Sequence, residues 1–342
     1  MRNLILAALS LPASMAIAQP PAGYYAAAEG LTGEALRSAL NDIISPHSVV
    51  AYSALWSAFA RTDRRPDGAV WDMYSDIPGG APDYLFQFVT DQCGSYNGEG
   101  DCFNREHTFP VSWFDDAVPM RSDLHHIYPA DAWVNQQRGN WPYGVVGSAD
   151  YTSSNGSKRG PCIYPGCSGT VFEPIDAYKG DLARAHFYML TRYLDESTGW
   201  AAPVLAQGEF IPWVESLLMA WHSADPVSDK ERARNDSVFV IQGNRNPYID
   251  EPQWASSIWG PQASISESAA IAGRAWYADG YLHIPAAAGC PGCILRVHDA
   301  TGRAVTELTL SPGAASAPFE ASPGYYVAVL AGEHQSVLRF VR

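Results

Sequence analysis

Leu31, Leu36, Leu40, Ile43 and Ile44 recur at roughly helical spacing ahead of Pro46, which predicts an amphipathic helix that stops there. Residues 65–110 carry a different texture. Short apolar runs are broken by Gly/Asp turns such as "DIPGGAPD" and "YNGEGD", which predicts short strands joined by turns. From residue 176 the helical period returns: Leu182, His186, Met189, Leu190 and Tyr193 share one stripe, and Trp213, Leu217 and Trp221 share another. Ser228 and Glu231 stand at the spacing of a capping box. Residues 261–275 are small, polar and aperiodic. Beyond them come short β runs ("GYLHIP", "ILRVHD", "AVTELTLS", "GYYVAVLAG", "SVLRFVR") separated by Gly/Pro turns. The pattern predicts an α+β body over 19–262, a linker over 263–275 and a small all-β sandwich over 276–342, with no internal repeat.

The first 18 residues fit none of this. "MRNLILAALSLPASMAIAQ" has one arginine, an apolar run and a small-residue site at Ala16-Ile17-Ala18, as a secretory signal peptide does. The run is shorter than the roughly 20 residues a spanning helix needs, and no later stretch is apolar enough to span. The mature chain is therefore expected outside the cell, secreted or at the cell surface. Export makes disulfides the natural reading of the six cysteines, and proximity pairs Cys93 with Cys102, Cys162 with Cys167, and Cys290 with Cys293. Zinc at "CGSYNGEGDC" is the competing idea, although the other cysteines lie far away in sequence.

Charge sets a constraint. The chain has 22 Lys and Arg against 36 Asp and Glu, a net charge of −14, almost all of it in the larger body. A phosphate-binding protein normally shows a basic footprint. Either the substrate is not a polyanion, or divalent cations and a few local arginines reverse the field at one cleft.

Two stretches concentrate groups able to do chemistry. "NREHTFP" places Glu106 beside His107, and "SDLHHIYPADAWVNQQRGN" holds Asp123, His125, His126, Asn135, Arg138 and Asn140. Phosphodiester hydrolysis needs an oxygen-preferring cation, a base for the attacking water and stabilisation of the leaving oxygen. One carboxylate and one amide oxygen suffice for Mg²⁺, which keeps several of its waters. A neutral imidazole suits the base. An "EH" pair alone is common, and adjacent side chains on a strand point to opposite faces. The second stretch adds an extended "LHHIY" ended by Pro129, Asp131 as a candidate N-cap, and Asn135 and Arg138 on one helix face. That order of strand, turn, strand and helix is the layout of a ββα-metal finger. The plainer reading keeps Asn135 and Arg138 as helix-surface groups. Trp113, Trp133 and Trp141 could stack on bases or fill the core, and Arg245 in "QGNRNPYID" could bind phosphate or sit in a loop latched by its asparagines.

"REHTFPVSW", "MRSDLHHIYPADAWVNQQRGNWPYG", "FEPIDAYKGDLARAHFYMLTRY" and "ERARNDSVFVIQGNRNPYID" together resemble the secreted bacterial endonuclease I family, over roughly residues 50–260. The resemblance implies a ββα-metal nuclease that cuts DNA, and often RNA, with little sequence preference, leaving 5′-phosphate ends. It implies Glu106 and Asn135 as Mg²⁺ ligands, with Mn²⁺ or Ca²⁺ as alternatives, and His107 as general base. Arg138 and Asn140 would contact phosphate, with Asp123 and His125 orienting the ligands from behind. In some family members an acid stands two residues before the Asp of "DLH"; here Arg121 takes that place and could stabilise the pentacovalent phosphate. The C-terminal residues resemble the sorting domain of the type IX secretion route, which implies a partner in the secretion machinery; a module that binds substrate or cell wall is the rival. A monomer is expected. A nonenzymatic nucleic-acid-binding protein and another metal-dependent phosphoesterase are the other functional readings. No H-E-x-x-H helix points to the common zinc protease.

Overall fold

A computed structural model describes residues 19–260, 276–284, 293–299, 303–311, 316–322, 325–331 and 336–341. The expected signal peptide, the expected linker and Cys290 of the expected Cys290–Cys293 pair lie outside them. The chain forms two compact units that divide after Gly260.

In the first unit, helix α1 (Gly33–Ile44) buries Leu36, Leu40 and Ile44, as its period predicts, while Leu31 precedes the helix and is exposed. Helix α2 (Leu55–Thr62) follows. Residues 65–102 were expected to form short strands, but they run as turns with only isolated bridges, Arg64 to Val70 and Gln92 to Phe103. Side chains hold this stretch instead. Asp72 accepts from the backbone N–H of Tyr74 and of Asp131, and the Cys93–Cys102 disulfide closes the loop that leads into β1.

Strand β1 (Phe103–His107) pairs antiparallel with β2 (Ile127–Asp131), Glu106 opposite Tyr128 and His107 opposite Ile127. Pro129 does not end an extended segment. It sits inside β2, where a two-stranded sheet leaves an edge that has no use for the missing N–H, and Leu124–His126 form the turn before it. Asp131 caps helix α3 (Ala132–Arg138), its Oδ1 accepting from Trp133 and Val134 N–H, a cap worth about 1 kcal/mol. β1, β2 and α3 are the expected ββα unit.

A three-stranded sheet follows, β3 (Tyr151–Thr152), β4 (Lys158–Pro161) and β5 (Thr170–Glu173), with the Cys162–Cys167 disulfide in the β4–β5 connection. Both disulfides match the proximity pairing and exclude zinc at these four cysteines. Helix α4 (Lys179–Arg192) is buried on every face from Gly180 to Thr191, so its apparent stripe understates its position at the centre of the unit. Strands β6 (Leu205–Ala206) and β7 (Glu209–Phe210) form a short hairpin before helix α5 (Pro212–Ala224), which buries Leu217 and Trp221 but leaves Trp213 at the rim. Helix α6 (Asp229–Gln242) opens with the predicted capping box of Ser228 and Glu231. Helices α7 (Pro247–Asp250) and α8 (Gln253–Trp259) complete the unit. From α6, Arg234 bonds Asp63 and the carbonyl of Ile127 and lies 3.8 Å from the ring of Tyr128, which locks β2 to the helices behind it.

The second unit contains β8 (Trp276–Ala278), β9 (Tyr281–His283), β10 (Ile294–Asp299), β11 (Ala304–Thr309), β12 (Ser316–Pro318), β13 (Tyr325–Ala331) and β14 (Ser336–Val341). A sheet of order β11-β10-β13-β14 and one of order β12-β9-β8 share a core that includes Leu282, Phe319, Leu295, Val297 and Leu330, a small sandwich. The fold class is α+β.

Candidate active site

A cleft of about 420 Å³ opens where β1 ends, and Glu106, His107, Arg121, Asn135, Arg138 and Asn140 all line it, together with Tyr52, Arg105 and Asp116. Two side chains that alternation sends to opposite faces of β1 share this cleft because His107 is the last residue of the strand.

Glu106 is 1% exposed. Its Oε1 accepts from the Tyr74 hydroxyl at 2.8 Å and lies 3.2 Å from Arg138 Nη1, and Tyr74 is bonded in turn to the Tyr143 hydroxyl at 2.9 Å. Among the described residues no hydrogen bond falls on Oε2, and this oxygen is not sealed from solvent. Burial pushes the carboxyl above its ordinary value against the pull of Arg138, Tyr74 and Tyr143. A carboxylate in that state gains by meeting a further cation.

Asn135 projects from α3 with its Nδ2 donating to Asn104 Oδ1 at 2.7 Å. That bond turns the amide so that its carbonyl oxygen remains free. Among the described residues no group of three or more His, Cys, Asp or Glu side chains gathers to hold a metal. Of the oxygen donors lining the cleft, Asp116 is paired with Arg121, while a Glu106 carboxylate oxygen and the Asn135 amide oxygen come from β1 and α3; a carboxylate and an amide oxygen fit a hard cation that retains most of its water.

His107 Nε2 lies 3.0 Å from the carbonyl of Arg121. A carbonyl can only accept, so Nε2 carries the proton and Nδ1 keeps its lone pair. Among the described residues Nδ1 has no hydrogen-bond partner, and it is not sealed from solvent. Burial, reinforced by neighbouring His126, pushes the imidazole down to about 3, so it stays neutral at ordinary pH.

The two arginines differ from each other. Arg138 is 1% exposed, donates to the carbonyls of His107 (2.8 Å) and Thr108 (2.5 Å) and pairs with Glu106. It braces the end of β1 against α3 through Nη1 and Nη2, while its Nε is buried without a hydrogen-bond partner. Arg121 is far more open, paired with Asp116 at 3.1 Å and packed 4.5 Å from the Tyr52 ring. Asn140 is exposed at the cleft, following Gly139, whose φ of +55° ends α3.

Asp123 and His125 stand elsewhere. Asp123 accepts from Tyr188, Tyr193, Gln242 and the His125 N–H, and His125 Nε2 bonds the carbonyl of Asn244, so neither bonds Glu106, His107 or Asn135. Both carboxylate oxygens of Asp123 are taken up in tying the turn before β2 to α4 and α6. Arg245 is also turned away, held by Asp250 and Asp236 at 2.7 Å each, while Asn244 and Asn246 latch its loop. His126 is a core histidine, bonded to the carbonyl of Met120. Trp113 is buried and Trp141 is half-exposed. Of the groups missed from sequence, Asn104 could have been found from its position two residues before Glu106, on the same strand face. Tyr52, Tyr74 and Tyr143 carry no local signal.

Comparison with known proteins gives one family match and several relatives. Residues 32–253 match the family described as Endonuclease I. The chain is 35% identical to an extracellular ribonuclease of Bacillus subtilis (strain 168) over 73% of this chain and 83% of that protein. It is also 35% identical to an extracellular ribonuclease of Bacillus amyloliquefaciens, over 69% and 78%. An extracellular deoxyribonuclease of Aeromonas hydrophila is 27% identical over 47% of this chain and 59% of its own length.

Proposed function

Because the chain belongs to the Endonuclease I family, we propose that it is a secreted, metal-dependent endonuclease that hydrolyses phosphodiester bonds of DNA and RNA with little sequence preference, leaving 5′-phosphate ends. The observation that carries this reading is the convergence of Glu106, His107, Asn135 and Arg121, from the end of one strand, a helix and a short 3-10 turn, on one cleft. Relatives named as ribonucleases and as a deoxyribonuclease support both substrates, and their names support an extracellular location.

Glu106 Oε2 and Asn135 Oδ1 would hold a divalent cation, with Mg²⁺ favoured by the all-oxygen donors. When bound, it would neutralise a nonbridging phosphate oxygen and the developing charge on the leaving 3′-oxygen. His107, held by the Arg121 carbonyl, takes a proton from the attacking water at Nδ1. Arg121 supplies charge to the phosphate, and Asn140 a hydrogen bond. Arg138 and the Tyr74–Tyr143 pair keep Glu106 in place. Three arginines among the lining residues, against Glu106 and Asp116, reverse locally the −14 of the whole chain. The C-terminal sandwich we read as an export label with no part in the chemistry.

The test incubates the full chain with plasmid DNA and with RNA, with and without EDTA. Cleavage that stops with EDTA and returns with excess Mg²⁺ is expected. A protein that binds but never cuts would leave the nonenzymatic reading standing, and activity confined to small phosphomonoesters would favour a phosphatase.

A further inference from the structure

Arg105 is left unused by the chemistry above. It stands between Asn104 and Glu106 on β1, so alternation sends it to the face opposite the Glu106 carboxylate, yet it lines the same cleft. Its guanidinium packs 3.8 Å from the centroid of Tyr52 and 4.6 Å from that of Trp56, and Nη1 donates to the carbonyl of Tyr52 at 3.0 Å. No carboxylate pairs with it among the described residues. In a chain where acids outnumber bases 36 to 22, a half-buried arginine without an acid is unusual.

Arg121 packs against the same Tyr52 ring from 4.5 Å, so one aromatic side chain carries two guanidiniums. Two like charges on one ring repel each other. Asp116 neutralises only Arg121. Aromatic contacts hold both charges in place at little entropic cost but do not discharge them. The arrangement lacks an anion, and a substrate with regularly spaced phosphates supplies one.

We propose that Arg105, seated on Tyr52 and Trp56, forms a second phosphate subsite that grips a backbone phosphate next to the scissile one. This rests on the nuclease reading. The subsite favours chains over single phosphodiesters, and because it touches no base it adds affinity without sequence preference.

The experiment measures kcat and KM of the full chain on a fluorescent single-stranded oligonucleotide across a salt series, for wild type, Arg105→Gln, Arg105→Lys and His107→Ala. Arg105→Gln is expected to raise KM about tenfold with kcat within about twofold. It should also flatten the slope of log(kcat/KM) against log[salt] by about 0.7, the share of one phosphate contact on a single strand. Arg105→Lys keeps the charge and so should keep the slope. A merely structural role for Arg105 would instead lower kcat, or the melting temperature, in both variants and leave the slope alone. Unchanged KM and slope in Arg105→Gln would overturn the subsite. His107→Ala is read separately: if it still cuts, the reading of the site itself fails, whatever Arg105 does.

Discussion

Two acid–histidine groups look alike in this chain, Glu106-His107 and Asp123-Leu124-His125-His126, and the fold puts them to opposite uses. Asp123 receives two tyrosine hydroxyls, an amide and a backbone N–H. Burial pushes its carboxyl up, but His125, His47, His126 and Gln242 more than offset this and hold it below the ordinary range. Glu106 is just as buried, yet all its described bonds fall on one oxygen, and His107 has one ring nitrogen bonded and the other open. Reactivity here is read from the bonds left unmade, since burial and residue type are the same in both places.

The largest expected contrast is between His107→Ala and Asp123→Ala. The first should cut nuclease turnover by about 10²–10⁴, the contribution of a general base, while leaving thermal melting nearly unchanged. The second should destabilise the fold by about 3–5 kcal/mol, because it strands donors that nothing else can satisfy, and at about 2–4 °C per kcal/mol the melting temperature should fall accordingly. Retained activity in the first, or a native melting temperature in the second, would merge the two groups again. Arg245→Met sharpens the comparison from the arginine side: it should cost about 2 kcal/mol of stability through its lost bonds to Asp250 and Asp236, and leave the salt dependence of cleavage as in wild type. A flattened salt slope would restore Arg245 as a phosphate contact.

Stability also depends on pH, through several groups at once. Burial holds His125 and His126 down at about 4 and His186 at about 3, with a similar depression at His107 and His222. Below pH 6.5 the unfolded chain takes up protons that these imidazoles refuse, so stability falls as pH drops from 6.5 toward 4, by on the order of 1.4 kcal/mol per unit for each. Asp72 and Asp181, pushed by burial up to about 7, hold their protons in the folded state and work the other way, as do Glu106, Asp131, Glu215 and Asp225, which burial also raises; the five imidazoles are expected to outweigh them between pH 7.5 and 5. A urea midpoint lower at pH 5 than at pH 7.5 is expected, and an unchanged midpoint would contradict the balance.

Much of this was legible in the sequence where the signal is local. The stripe of α1, the capping box at Ser228, the Asp131 cap, two of the disulfides and the i, i+3 pair Asn135 and Arg138 depend on near neighbours. What failed depends on contacts across the chain. Asp72 bonds the backbone of Asp131, and this kind of anchoring replaces the strands expected after residue 65. Arg138 reads as a phosphate contact until the carbonyls of His107 and Thr108 are seen to occupy it. The tyrosines behind Glu106 come from positions 74 and 143, too far away in sequence to announce themselves.

The central claim is that one oxygen of Glu106 and one of Asn135 share a cation. Anomalous diffraction from crystals of the His107→Ala variant grown with Mn²⁺ tests it most directly. The account predicts one strong peak about 2.0–2.3 Å from Glu106 Oε2 and Asn135 Oδ1, with water filling the other positions. Manganese held elsewhere, with none between these two side chains, would contradict it.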